Sequence, residues 1–201
     1  MIGRKLTQKI LSDSSQFSQI SELILYDVIR AKKPLSSVPT KILSGDISKV
    51  SQAKILSEEK PTIIFHLASI VSGEAEENFS KGWQTNAQGT WQLLEELRKI
   101  SEKYGGEYKP KIIFTSSIAV FGGPFPVKID DDYLCAPQTS YGAQKAITEM
   151  LISDYSRKGF VDGISLRLPT ICVRPGKPNL AASGFFSGII REPLNGMEAI
   201  G

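Results

Sequence analysis

Five short apolar runs, at residues 22–28, 41–43, 62–67, 111–115 and 164–168, alternate along the chain with stretches whose apolar residues recur at helical spacing. That alternation constrains the fold more than any single motif does. A strand that returns parallel to its neighbour needs a crossover of a dozen or more residues, and a helix usually supplies it. The expectation is an α/β fold with a doubly wound parallel sheet covered on both faces. Ile2, Leu6, Ile10 and Leu11 place a helix at the very start of the chain. Residues 49–56 and about 76–103 read as further helices, the second as one long helix or two, stopped by Tyr104-Gly105-Gly106. A helix beginning near Tyr141 is expected to bury Ile147, Met150, Leu151 and Tyr155, and residues 185–191 form a short one. In sheets of this kind ligands bind beyond the carboxyl ends of the strands. Asp27, Asp46, Ala68-Ser69, Ser116-Ser117 and Pro169-Thr170 all follow a strand.

The 201 residues suffice for a sizeable core and most simply form one domain, and the formal net charge of +3 is small. The compact basic cluster from Arg30 to Lys33 abuts Pro34 and reads as a solvated loop, so nucleic acid is not an expected partner. Cys135 and Cys172 lie in no metal-binding spacing and share the chain with one histidine, His66, so neither a metal site nor a disulfide is expected. No apolar run reaches membrane-spanning length, and Arg4, Lys5, Thr7, Gln8 and Lys9 break up any secretory segment. The cytoplasm is the default compartment.

The chemistry concentrates at Tyr141 and Lys145, four residues apart and therefore on one helix face. A positive charge beside a phenol favours the phenolate, which makes Tyr141 a candidate general base. Any Tyr–Lys pair at this spacing can also share a helix surface and do nothing more. Ser117 ends an apolar strand, where its hydroxyl can meet a substrate oxygen, whereas Ser116 reads as a turn serine satisfying a backbone group. His66 lies inside an apolar run and reads as a packed core residue. Asn86 sits within the long helical stretch, where a short amide is mildly unfavourable, so it is either a buried polar anchor near Lys145 or an exposed helix residue. Asp27 follows Gly3 by about twenty residues, where a dinucleotide-binding fold sets an acid against the ribose hydroxyls. A carboxylate there repels a 2′-phosphate and favours NAD over NADP, although it can equally cap a turn.

Taken in order, Asp27, Asp46-Ile47, His66-Leu-Ala-Ser69, Asn86-x-x-Gly89-Thr90, Thr115-Ser-Ser117 with Val120-Phe-Gly122, Tyr141-x-x-x-Lys145 and Arg167-Leu-Pro169 resemble the extended short-chain dehydrogenase/reductase family, of the NAD-dependent epimerase/dehydratase kind. Within it, residues 71–75, 137–145, 167–176 and 183–191 are similar to the group acting on D-erythronate. The resemblance implies a Rossmann-like sheet and NAD-dependent oxidation of a small sugar acid, D-erythronate going to 2-oxo-erythronate. It implies Tyr141 as proton acceptor, Lys145 lowering its pKa and holding the nicotinamide ribose, and Ser117 orienting the reacting hydroxyl. Gly3, Asp27, Asp46, Ile47, Leu67, Ala68, Asn86, Pro169 and Ile171 would join Tyr141 and Lys145 along the cofactor. Ser69, Ser72 and Arg174 are candidates for the substrate carboxylate. Residues 1–168 would form the NAD-binding domain and residues 169–201 the start of the substrate-binding region, with a homodimer built on the helices that carry Asn86 and Tyr141.

Against the family's pattern, the first strand, most of the phosphate loop and the bulk of the C-terminal substrate domain are absent, so Met1 reads as an internal methionine of that loop. Two rival readings stand beside the oxidation. One is a nucleotide-sugar epimerase or dehydratase, which residues 179–196 disfavour because Arg191 is their sole basic residue. The other is a non-catalytic dinucleotide-binding protein.

Overall fold

In the computed structural model, which describes residues 1–13, 19–174, 181 and 183–199, all five expected strands form and every strand pair is parallel. The chain divides into two compact units, Met1–Ile47 and Ser48–Gly201. The first holds α1 (Ile2–Ser12), β1 (Leu23–Asp27) and β2 (Thr40–Ser44). The two strands pair from Leu23 opposite Thr40 to Asp27 opposite Ser44. Asp27 thus lies at a strand's carboxyl end, with Asp46 just beyond the end of the neighbouring strand. Gly3 falls in the first turn of α1, where the backbone N–H groups have no intrahelical acceptor.

The second unit runs α2 (Val50–Glu58), β3 (Ile63–His66), α3 (Ser72–Glu77), α4 (Phe79–Gly82), a π turn (Trp83–Gln88), α5 (Gly89–Lys103), β4 (Lys111–Ser117), a 3-10 turn (Ile118–Val120), α6 (Ser140–Arg157), β5 (Asp162–Leu168) and α7 (Gly184–Leu194). Its sheet has the order β3-β4-β5. Alternation along β4 sends Ile112, Phe114 and Ser116 into the interior. There Ile112 and Phe114 meet Ala53, Leu93, Leu94, Leu97, Ile152 and Val161 in one core. No helix among the described residues is long and apolar enough to cross a membrane.

The stretch 76–103 is helical as expected: it is broken at Asn78 and then runs without interruption from α4 through the π turn into α5. One expectation changes. The stripe of α6 expected to be buried is partly at the surface, with Ile147 37% and Met150 66% exposed, while Gln144, Lys145, Thr148 and Ile152 are buried in its place. Apolar spacing cannot reveal a polar stripe whose partners come from distant segments.

Candidate active site

The start of α6 is fixed before any catalytic group is considered. Thr139 caps it by accepting the Gly142 N–H at 3.0 Å. Glu76, from α3, accepts the Ser140 N–H and, at 3.2 Å, its hydroxyl, so a carboxylate sits at the positive end of the helix dipole. Gly142 brings this turn against the 3-10 turn that follows Ser117. A Cβ on Gly142 would lie 2.1 Å from the Ala119 carbonyl oxygen, so only glycine permits the approach. Ser117 Oγ in turn accepts the Ala119 N–H at 3.2 Å, which uses a lone pair and leaves its proton available. The Gly142→Ala protein is therefore expected to lose about 1–3 kcal/mol in urea unfolding, as overpacked sites do. Its residual activity should fall further than stability alone explains, because the Ser117–Tyr141 spacing opens.

Lys145 is 2% exposed. Its Nζ donates to the Thr115 carbonyl at 2.9 Å and lies 4.6 Å from the Phe114 ring centroid and 5.5 Å from that of Tyr141. Burial lowers its pKa to about 7. Burial likewise raises the Tyr141 pKa, with the hydroxyls of Ser69 and Ser117 and the Arg174 guanidinium working in the opposite direction. The Arg174 guanidinium favours the phenolate. Desolvation has cost Lys145 much of the charge that would do so.

Asn86 is 1% exposed and occupies the π turn, a distortion frequent at functional sites. Its Oδ1 accepts from the Ile70 N–H and the Ser69 hydroxyl, both at 2.9 Å. Its Nδ2 donates to the Ile70 carbonyl at 3.4 Å and to Gln144 Oε1 at 2.8 Å. The Asn86 carbonyl accepts the hydroxyls of Thr90 (3.2 Å) and Thr148 (3.1 Å). The amide therefore ties the loop after β3 to α6 and holds Ser69 beside Tyr141. Of its two sequence readings, the buried anchor is the one observed. His66 is a packed residue, its Nε2 2.7 Å from Thr90 Oγ1 and its pKa lowered to about 4 by burial and by Lys145. Ser116 is not a turn serine: it lies buried within β4, and its hydroxyl finds no partner among the described residues.

Arg174, half-buried, is held from several sides. Its N–H donates to Ser187 Oγ at 3.0 Å, its Nε to the Ile171 carbonyl at 3.2 Å and its Nη2 to Ser183 Oγ at 3.0 Å, while Arg191 donates to its carbonyl at 2.8 Å. Val173 beside it has φ of 52°, strained for a β-branched residue by about 1–3 kcal/mol. Such strain persists where surrounding bonds over-determine the backbone. Gln144, Glu76, Ser183 and Ser187 were not singled out from the sequence, because their partners lie across the fold.

The remaining candidates fall on both units. In the second, Leu67 and Ala68 lead from β3 to Ser69, Ser72 opens α3, and Pro169 and Ile171 follow β5. Gly3, Asp27, Asp46 and Ile47 belong to the first unit. There Asp27 Oδ1 accepts the Ile29 N–H at 3.1 Å, the turn-capping role, which leaves its other oxygen for a further donor.

A model of the NAD dependent epimerase/dehydratase family matches residues 1–200. The chain belongs to this family. Two curated members share 46% and 44% identity with it over 199 residues, the D-erythronate dehydrogenases of Cupriavidus necator and Haemophilus influenzae. The matches cover 98% and 99% of this chain but 59% and 61% of those proteins, so the chain spans about three-fifths of their length. A solved structure described as the nucleoside-diphosphate-sugar epimerase from Agrobacterium tumefaciens is 52% identical, with a TM-score of 0.92 over 98% of this chain and 58% of that one. The Rossmann-like fold of the family is thus the fold of this chain.

Proposed function

We propose that the protein oxidises a small sugar acid with NAD, D-erythronate to 2-oxo-erythronate. The observation that carries this reading is the 44–46% identity, maintained over nearly the whole chain, to two D-erythronate dehydrogenases. The arrangement around α6 supports it. Lys145 spends one of its N–H donors on Thr115 and keeps the rest for a ligand, which suits a pair of ribose hydroxyls. Tyr141 and Asn86 border the same space; Leu67, Ala68, Pro169 and Ile171 would complete the contacts in this unit, and Gly3, Asp27, Asp46 and Ile47 are proposed contacts in the other. The bound dinucleotide supplies the hydride acceptor. Tyr141, as phenolate, takes the proton of the hydroxyl on the carbon being oxidised. Ser117 donates its free proton to that same oxygen and orients it. Arg174 pairs with the substrate carboxylate, as a guanidinium fork fits two oxygens.

The expected result is stoichiometric NADH from D-erythronate by the intact protein. Arg174→Leu should raise KM for the acid about tenfold to a hundredfold, the worth of a charge-assisted hydrogen bond, with a smaller change in kcat. Absence of NADH from every four-carbon acid tried would sink the reading.

The similarity to a nucleoside-diphosphate-sugar epimerase favours a second reading. An epimerase would use the same proton transfer but return the hydride, so a nucleotide sugar would isomerise without net NADH. The division into a dinucleotide-binding part to residue 168 and a substrate part from 169, and the cytoplasmic setting, belong to the same proposal. So does a homodimer. Phe79 and Trp83, stacked with centroids 6.5 Å apart, lie exposed with Trp91, Ile147 and Met150 on the helices that carry Asn86 and Tyr141, and a second copy would cover them.

A further inference from the structure

Gln144 lies between Tyr141 and Lys145 on α6 and is 1% exposed. Its Nε2 is buried and finds no acceptor among the described residues. That atom packs on Gly82 of α4, so closely that an added Cβ there would stand 2.8 Å away. A methionine of about the same length would fill the place without an unpaired donor, so the glutamine has to be accounted for by its other end. The Ile70 N–H can only donate, and it meets Asn86 at 2.9 Å, so the Asn86 atom facing it is the oxygen. The Asn86 NH2 therefore faces the Ile70 carbonyl at 3.4 Å and Gln144 at 2.8 Å, and only an acceptor from Gln144 suits it. With Oε1 turned to Asn86, Nε2 is left against Gly82. α6 holds Asn86 a second time, because the Thr148 hydroxyl reaches both the Asn86 carbonyl (3.1 Å) and the Gln144 carbonyl (2.9 Å). Ser69 lies on the far side of Asn86, its Oγ 2.9 Å from Asn86 Oδ1 and 3.0 Å from the Ile70 carbonyl. Both of those oxygens keep another donor if the Ser69 proton turns away, Oδ1 the Ile70 N–H and the carbonyl the Asn86 NH2. That proton is therefore free for Tyr141, where a hydrogen bond from Ser69 favours the phenolate.

We infer that Gln144 is a positioning residue for the proton transfer: by ordering the Asn86 amide, it keeps the Ser69 hydroxyl within reach of the Tyr141 oxygen. This rests on the proposed role of Tyr141 as proton acceptor. The order of action is Gln144, Asn86, Ser69, Tyr141, and the unpaired Nε2 is the consequence of aiming Oε1 at Asn86. Ser117 and the Arg174 guanidinium act on the phenol from other segments, and Lys145 Nζ lies 5.5 Å from its ring centroid. Substituting Gln144 alters none of these three.

The first measurement needs no turnover. Ionisation of the Tyr141 phenol is read as the ultraviolet difference between each protein and its Tyr141→Phe counterpart. Gln144→Met should move it up by about one pH unit, the worth of one hydrogen bond to a charged group, and Ser69→Ala should do the same. Gln144→Met added to Ser69→Ala should move it no further, because both act on one hydrogen bond. Gly82→Ala crowds the glutamine without removing it, and should move the phenol in the same direction only while Ser69 is present. A full rise on adding Gln144→Met to Ser69→Ala overturns the inference. If Gln144→Met does not fold, Gly82→Ala decides in its place. Urea unfolding tests a purely structural role. The midpoint of Gln144→Met should stay near that of the parent, since the substitution removes an unpaired donor at Nε2 and leaves one on Asn86. An unmoved phenol, whatever the midpoint, assigns Gln144 to structure alone and overturns the inference. In turnover, Gln144→Met should run about tenfold below the parent at neutral pH and recover toward alkaline pH, as a smaller phenolate fraction requires. Failure to oxidise any hydroxy acid removes the oxidation reading, and the titration still decides the role of Gln144.

Discussion

Tyr141→Phe is expected to fold, to bind NAD, and to lose roughly 100- to 10,000-fold in kcat, the range over which a positioned general base acts. The substitution removes one oxygen and keeps the ring that Lys145 Nζ approaches at 5.5 Å. The loss is therefore chemical rather than structural. Its pH dependence is also set by the structure. Burial holds the Tyr141 pKa above its usual 10.0, so the phenolate is the minor form at neutrality and its fraction grows with pH. Oxidation by the unaltered protein should accelerate from neutral toward alkaline pH, and the residual rate of Tyr141→Phe should not follow that rise. Lys145→Met provides the contrast. It should weaken NAD binding, read by quenching of tryptophan fluorescence, whereas Tyr141→Phe leaves binding nearly intact. A Tyr141→Phe protein within about threefold of the parent rate would show that another group takes the proton.

The strands were legible because each is a run of β-branched and aromatic residues bounded by turn residues, a signal carried by neighbours in sequence. Tyr141, Lys145 and Ser117 were legible for a related reason: helix spacing and strand ends are local facts. What surrounds them was not. Asn86 bonds Gln144 across 58 positions, and that contact turns an unremarkable glutamine into the residue that orders the Asn86 amide. The misread stripe of α6 has the same origin. Ile147 and Met150 were assigned to the interior by hydrophobicity, yet the interior side holds Gln144, Lys145 and Thr148, whose burial is tolerated because each meets a partner from another segment. The Lys145 effect on Tyr141 was likewise drawn from spacing alone. Four residues of separation set the direction of a charge, but burial decides how much of it survives.

That burial makes the stability of the protein without added dinucleotide steeply dependent on pH. In the unfolded chain a lysine titrates near 10.5, and in the folded protein Lys145 titrates at about 7. Between those values the unfolded state binds more protons than the folded one, so stability rises with pH through this window and falls as pH is lowered to 7. The full difference is on the order of 5 kcal/mol. Among the described residues, Thr115 accepts a hydrogen bond from Lys145, the rings of Phe114 and Tyr141 face it and His66 lies within electrostatic reach, and burial is what lowers its pKa. His66 adds a second window of the same sign. It titrates at about 4 in place of 6.5, so acidification across that interval removes on the order of 3 kcal/mol more. Tyr108 and Tyr155, pushed up to about 12, act above pH 10, where rising pH destabilises, and leave both windows clear. Urea unfolding at a series of pH values should therefore show two descending steps toward acid. Lys145→Met should flatten the upper step and, by relieving part of the depression of His66, shrink the lower one, whereas His66→Asn should flatten the lower step alone. An upper step that survives in Lys145→Met would mean that Lys145 keeps its proton when folded. The cation over the Phe114 ring would then carry full charge at neutral pH, and the pull on Tyr141 first assigned to it would be restored.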